Sequence, residues 1–194
     1  KLKMNLNKPL RSKAKDCLNG IDTIILAGGL GTRLRKVVPE SPKVLALVGG
    51  RPVLDLIIDW LLGFGIRRII LSLGYKADTV IEHINKKPWG KTEFIPLVER
   101  SPLGTGGALR AAFDCCHSDS ILAVNGDTLI TADLCTFLDF HVSGGTGMSL
   151  MFAEVDDGKR YGQLNISKGR IQTFHEKNQN SNGTSVVSAG VYFF

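Results

Sequence analysis

Apolar positions along the chain come in short blocks whose spacing alternates between that of strands and that of helices. Residues 1–20 show neither period and are polar and basic, so they read as a flexible extension or a loosely docked arm, with Met4 a candidate start. At Asp22-Thr23-Ile24-Ile25-Leu26-Ala27 a β-branched apolar run begins and stops abruptly at glycine, as a buried parallel strand does. A long loop rich in Gly, Arg, Lys and Pro follows through Lys43. Pro52 suits the first turn of a helix, where its missing N–H would have had no partner anyway. Val53, Leu54, Leu56, Ile57, Ile58, Trp60, Leu61 and Phe64 cover most of that helix and leave Asp55 and Asp59 as its polar stripe, with Gly63 and Gly65 ending it. The alternation continues with a strand at Arg68–Leu73, a helix at Lys76–Ile84, a strand at Glu93–Val98, a helix at Gly106–Cys116, a strand at Ser120–Asn125 and a helix at Ala132–Val142. Repeated units of this length predict an α/β fold: three layers, with a mostly parallel, mixed Rossmann-like sheet carrying helices on both faces. After Gly147 the runs become shorter and extended, at Met148–Glu154, Gly162–Ile166, Arg170–Glu176 and Ser185–Phe194, which predicts a β-rich second half beside the sheet.

Length bounds this picture to one domain, read as residues 21–194 of the 194. With 43% hydrophobic and 22% charged residues, wholesale disorder and fibrous repeats are excluded. The net charge of +6 would suggest a nucleic-acid partner if it were spread over the folded body. It is not: Lys1, Lys3, Lys8, Arg11, Lys13 and Lys15 precede the first acid, and residues 16–194 carry 18 residues of each sign. The basic start also lacks interleaved aromatics, so no nucleic-acid partner is expected. Cys17, Cys115, Cys116 and Cys135 form no C-x-x-C pair and no disulfide framework, and they read as reduced thiols of a cytoplasmic protein. No apolar run reaches the ~18 residues of a membrane span, and no membrane partner is expected.

The glycine loop after the first strand carries the chemistry. Read from Gly29, a dinucleotide fingerprint fails because Leu34 stands where its last glycine belongs. A Walker loop fails too, since Gly90-Lys91-Thr92 has Asn85 five positions before Gly90. What remains is a glycine turn at a strand terminus whose backbone N–H groups can face an anion, with Arg33 inside it and Lys43 ten residues on. Amides, a guanidinium and an ammonium together suit a triphosphate, whereas a plain tight turn would need neither cation. Ligands of open α/β sheets bind outside the carboxyl ends of the strands, so this loop and Asp127, after the fourth strand, belong to one rim.

Leu26-Ala-Gly-Gly-Leu-Gly-Thr-Arg-Leu34 followed by Ser41-Pro-Lys43 resembles the signature loop of the sugar-1-phosphate nucleotidylyltransferases. Pro102-Leu-Gly-Thr-Gly-Gly107, Asn125-Gly-Asp127, Arg160-Tyr-Gly162, Phe174-His-Glu-Lys177 and Ser188-Ala-Gly-Val-Tyr192 follow in the order that family has them, so the match covers Asp22–Phe194. The wording is most similar to the heptose 1-phosphate guanylyltransferases, with the mannose-1-phosphate guanylyltransferases close behind. The resemblance implies transfer of a nucleoside monophosphate from an NTP, GTP favoured, to a sugar 1-phosphate with release of pyrophosphate, in nucleotide-sugar biosynthesis and with homo-oligomers common. It implies that Leu26, Ala27, Gly28, Gly29, Gly31 and Thr32 hold the nucleotide, that Arg33 stabilises the leaving pyrophosphate, and that Lys43 bridges phosphates at the reacting centre. Asp127 would ligate Mg²⁺, a hard cation that prefers carboxylate and phosphate oxygens. Glu99, Gly104, Thr105, Asn125 and Gly126 would surround the base and ribose. Tyr161, Gly162, Glu176 and Lys177 would hold the sugar and its phosphate.

Each of these residues also has a plainer reading: a turn cap for Asp127, a solvated surface acid for Glu99, an exposed ion pair for Glu176 and Lys177. His83 and His141 read as surface or cap residues, Cys115 and Cys116 as packing residues, and His175 as a neighbour of the sugar site. Ser188 stands where related sequences often have Asn. The family's second metal-binding Asp falls beyond the Ala-Gly-Val-Tyr strand, so the chain is expected to be a fragment of a longer enzyme. The competing possibility is a non-catalytic nucleotide or sugar-phosphate binder, which would not need Lys43, Asp127 and Lys177 together.

Overall fold

In the computed structural model, the residues described are 16–29, 41–156, 158, 162–175 and 184–194. The run Asp22–Ala27 forms strand β1, and its alternation decides which layer each side chain joins. Ile25 joins a large core with Leu71 and Val124, whereas Ile24 packs with Ile70 and Ala123 on the opposite face. β1 is flanked in parallel by β4 (Arg68–Leu73) and β6 (Ile121–Asn125), and β4 in turn by β5 (Glu93–Val98). Pro96 lies in β5 at the sheet edge, where the absence of its N–H from the ladder is harmless.

Helix α1 (Val53–Leu62), α2 (Ala77–Asn85) and α4 (Leu134–Gly144) contribute to the large core. Helix α3 (Gly104–Phe113) covers the other face through Ala112, Leu109 and Phe113. The expected three layers are therefore present. Helix α3 starts two residues earlier than the apolar pattern suggests, because glycines supply its first turn.

The β-rich second half extends the same sheet. Strands β7 (Ser149–Val155), β8 (Gln163–Ser167), β9 (Arg170–His175) and β10 (Ser185–Phe193) complete the order β5-β4-β1-β6-β10-β8-β9, with β7 also pairing with β10. β10 runs antiparallel to β6 and buries Phe193 against Phe137 and His141, at 5.1 and 5.5 Å between ring centroids. Two short strands absent from the sequence reading, β2 (Leu47–Val48) and β3 (Arg51–Pro52), form a hairpin through Gly49 and Gly50. Pro52 thus ends a strand and caps α1 from outside its first turn.

Several polar expectations change. Asp55 is buried on α1, where it meets His83 Nε2 at 2.6 Å and the Lys87 ammonium, so the polar stripe of α1 is a contact with the next helix. Asp59 does face outward and pairs with Arg51. His141 is buried rather than at the surface, with Nδ1 3.0 Å from the Ser149 hydroxyl and its ring stacked on Phe193. Cys17 and Cys135 are not free thiols but a disulfide, with Cα atoms 5.7 Å apart and 118 positions apart in the sequence. Leu18, beside that bond, is fully buried and its N–H donates to the Phe64 carbonyl, so the segment just before β1 is docked firmly. Cys115 and Cys116 are free; burial, aided by the nearby Asp22 charge, pushes the Cys116 thiol up to about 11, as suits a packing residue. Among the described residues no helix is long and apolar enough to cross a membrane.

The amino ends of the strands are tied by one carboxylate. Asp22 is buried, which works to raise its pKa, but N–H donors from His117 and Ser118 and the Arg68 guanidinium outweigh burial and hold it below the usual carboxylate range. A depressed pKa contributes stability that is present above the unfolded-state value and is lost as pH falls through the folded-state value. Thermal melts should therefore drop as pH is lowered below about 4. Asp22→Asn should show a lower melting temperature at neutral pH and a flatter acid limb; an unchanged acid limb would assign the loss to other carboxylates.

Candidate active site

Because β1, β4, β5 and β6 are parallel, their carboxyl ends share one rim, and the sequence-predicted residues that are described gather there. Leu26 and Ala27 finish β1, and Gly28 and Gly29 follow it outside regular structure. Gly28 is held on two sides. A Cβ on Gly74, just past β4, would lie 3.1 Å from both Gly28 C and Cα and inside the contact radius of its carbonyl oxygen. A Cβ on Gly28 would lie 2.5 Å from Glu99 Oε1.

Glu99 is half-buried at the end of β5. Its Oε1 accepts from the Ser72 hydroxyl at 2.9 Å and its Oε2 from the Leu103 N–H at 3.1 Å. It is therefore a fixed carboxylate beside the glycine turn and not a freely solvated acid. Gly104 and Thr105 follow directly as the exposed first turn of α3, a ten-residue helix whose amino end favours acceptors.

On the other side of β1, Gly126 donates its N–H to the Leu26 carbonyl at 2.9 Å and packs on Val44. Val44 is the buried residue of a single 3₁₀ turn, Lys43–Leu45, so its burial carries the neighbouring Lys43 to the rim. There the Lys43 ammonium pairs with the Asp127 carboxylate, with side-chain exposures of 44% and 37%. Thr128 Oγ1 also contacts Asp127 Oδ1, at 3.3 Å. The pair is open to solvent and can exchange partners when a phosphate arrives.

The second half of the sheet reaches the same rim. Gly190, at φ +69°, lies against Asn125, and its N–H donates to Ser188 Oγ at 3.2 Å across an irregularity in the β10–β7 register. A Cβ at Gly190 would lie 2.5 Å from Asn125 Nδ2, so glycine is required both for its backbone and for space. Ser188 N–H donates to the Gly162 carbonyl at 3.2 Å, and Gly162 sits under the ring of Phe174. His175 pairs with Gln163 at the start of β8, near Gly162. Gly31, Thr32, Arg33, Tyr161, Glu176 and Lys177 lie outside the described residues. Ser72 and Gly74 belong to no motif, although a lone serine in the run Ile69-Ile70-Leu71-Ser72-Leu73 is a polar signal in an apolar strand.

Among the described residues no group of three or more His, Cys, Asp or Glu side chains could hold a metal ion. The described residues alone therefore build no protein cage of the zinc or calcium kind. Mg²⁺ needs none, since it is commonly held by one or two carboxylates together with substrate phosphates, and Asp127 on an open rim fits that donor set.

An open α/β sheet bearing glycines, a lysine and a carboxylate on its carboxyl rim has the layout of the α/β class that takes ligands outside the carboxyl ends of its strands. Residues 22–194 match the family model described as nucleotidyl transferase, and the chain belongs to that family. It is 36% identical over 172 residues to the D-glycero-alpha-D-manno-heptose 1-phosphate guanylyltransferase of Aneurinibacillus thermoaerophilus, covering 89% of this chain and 74% of that one. It is 30% identical over 175 residues to the mannose-1-phosphate guanylyltransferase of Mycobacterium tuberculosis, covering 90% of this chain but 48% of that relative. The crystal structure of HddC from Yersinia pseudotuberculosis complexed with GMP-PN superposes with a TM-score of 0.77 at 35% identity, covering 90% of this chain and 76% of that one.

Proposed function

We propose that residues 21–194 form a catalytic domain that transfers a guanylyl group from GTP to a heptose or mannose 1-phosphate. An oxygen of the sugar phosphate forms a bond to the α-phosphorus of GTP, the bond from that phosphorus to the β-phosphate oxygen breaks, and pyrophosphate leaves. The attacking oxygen is already anionic, so positioning and charge neutralisation carry the catalysis and no general base is required. The observation that supports this most is the meeting of Lys43 and Asp127 at the carboxyl end of β6, where Gly126 packs against Leu26 and Ala27 of β1. Lys43 holds phosphates at the reacting centre, and Gly28 and Gly29 hold the nucleotide through the backbone. On motif grounds Gly31, Thr32 and Arg33 complete the triphosphate site, while Tyr161, Gly162, Glu176 and Lys177 hold the sugar phosphate. Mg²⁺ at Asp127 would supply further neutralisation of phosphate charge when bound. Glu99 reads the base, with Gly104, Thr105, Asn125 and Gly126 around the nucleoside. Both substrates are phosphates that do not cross a membrane unaided, which supports a cytoplasmic place for the reaction.

The test is pyrophosphate release from the protein with Mg²⁺, each of the four NTPs and a panel of sugar 1-phosphates. Release is expected with GTP and a heptose or mannose 1-phosphate. Tight GTP binding with no release from any pair would instead make the protein a non-catalytic binder.

A further inference from the structure

We propose that Ser72 is a positioning residue for base selection, acting through Glu99. The inference deepens the guanylyl-transfer reading and rests on it. Ser72 is fully buried on β4, opposite Leu26 of β1 and Leu97 of β5. The strand alternation that turns Ile70 toward α3 turns Ser72 the same way, toward the loop from Glu99 to Leu103. Its hydroxyl donates to Glu99 Oε1 while the Leu103 N–H donates to Oε2, so each carboxylate oxygen is held by one protein donor. A carboxylate has about four lone-pair sites, and these two bonds leave the others for a ligand.

Guanine presents two N–H donors side by side on its Watson–Crick edge, from the ring nitrogen and the exocyclic amine. A carboxylate fixed in one plane accepts both. Adenine presents a ring acceptor beside its amine on the corresponding edge, and a fixed carboxylate meets that acceptor with a lone pair. Discrimination of this kind depends on the carboxylate staying in place, because a free one rotates away from the mismatch. Glu99 is a four-bond reach from the backbone, and without the Ser72 hydroxyl only one of its oxygens has a donor among the described residues. The buried position suits such a role, since a serine hydroxyl at zero exposure has no competing water.

The experiment compares kcat/KM for GTP and for ATP in pyrophosphate release by wild type, Ser72→Ala, Ser72→Thr, Glu99→Gln and the Ser72→Ala/Glu99→Gln double variant. Ser72→Ala should reduce the GTP/ATP ratio about tenfold through the GTP KM, with kcat at saturating GTP within about twofold. Ser72→Thr, which keeps the hydroxyl, should restore the ratio, and the double variant should discriminate no worse than Glu99→Gln alone. If Ser72→Ala does not fold, Ser72→Cys, close in volume and a weak donor, gives the same reading. A wild-type preference for GTP that survives Ser72→Ala unchanged overturns the role of Ser72 alone. A fall in kcat with the ratio intact does so as well, since that is what general loosening of β4 would produce. Wild-type protein that releases no pyrophosphate, or does so equally with ATP, overturns guanylyl transfer and this inference together.

Discussion

Asp127→Asn will lower kcat by at least about a thousandfold, equivalent to ~4 kcal/mol of lost transition-state stabilisation, while leaving the melting temperature nearly unchanged. The two halves of this result have separate causes. Asp127 stands at the open end of β6 with its side chain 37% exposed, and its partner Lys43 is 44% exposed. An ion pair that open contributes only about 0–1 kcal/mol to folding, so its loss is scarcely felt by the fold. The reaction is affected far more, because the proposed site brings a phosphate monoester against a triphosphate and, on the proposed mechanism, Asp127 would hold the neutralising cation. Asparagine keeps the shape and one oxygen but loses the charge. Turnover within about tenfold of wild type, measured as pyrophosphate release at saturating substrates, would remove Asp127 from the mechanism.

Gly74→Ala is expected to be the most damaging single methyl group that can be added to the rim. The new Cβ would press on the carbonyl, C and Cα of Gly28, which are backbone atoms and cannot rotate away. Either the end of β4 or the glycine turn must move, at an overpacking cost of typically 1–3 kcal/mol. Leu73, just before Gly74, is held in the ladder by strands on both sides, so the displacement should fall on Gly28 and GTP affinity should drop more than tenfold by calorimetry. Gly147→Ala is the control: a Cβ there meets nothing within 4 Å, and neither stability nor affinity should change appreciably. Equal, small effects in both variants would mean that the tight Gly74–Gly28 approach is not needed for nucleotide binding.

The strand–helix alternation, the three layers and the rim were legible because each depends on local periodicity. Ile24 and Ile25 are successive residues of one strand, and their membership of opposite cores follows from the two-residue repeat alone. What could not be read depended on partners distant along the chain. Asp55 reads as solvent-facing polarity in sequence, but α2 supplies His83 and the segment after it Lys87 to meet it. His141 is polar in sequence yet buried, because Ser149 and Phe193 lie against its ring from two later strands. No spacing rule links Cys17 to Cys135. The insertion of β10 between β6 and β8 is likewise invisible to local pattern, since the runs of the second half look alike. Of the candidate site, the motifs marked the residues that face the rim, while the supports behind them, Ser72 and Gly74, carried no motif.

The place of β10 also sets the order in which the molecule can be finished. β6, β7 and β8 all precede β10 in the chain, and all pair with it. Until residues 185–193 have emerged during synthesis, the free side of β6 is an unpaired edge and β7 has no partner among the described strands. A nascent chain therefore carries an open sheet margin from the making of β6 until that of β10, the kind of surface that recruits other strands. The interval between making Asn125 and making Phe193 is the period in which the protein most needs a chaperone.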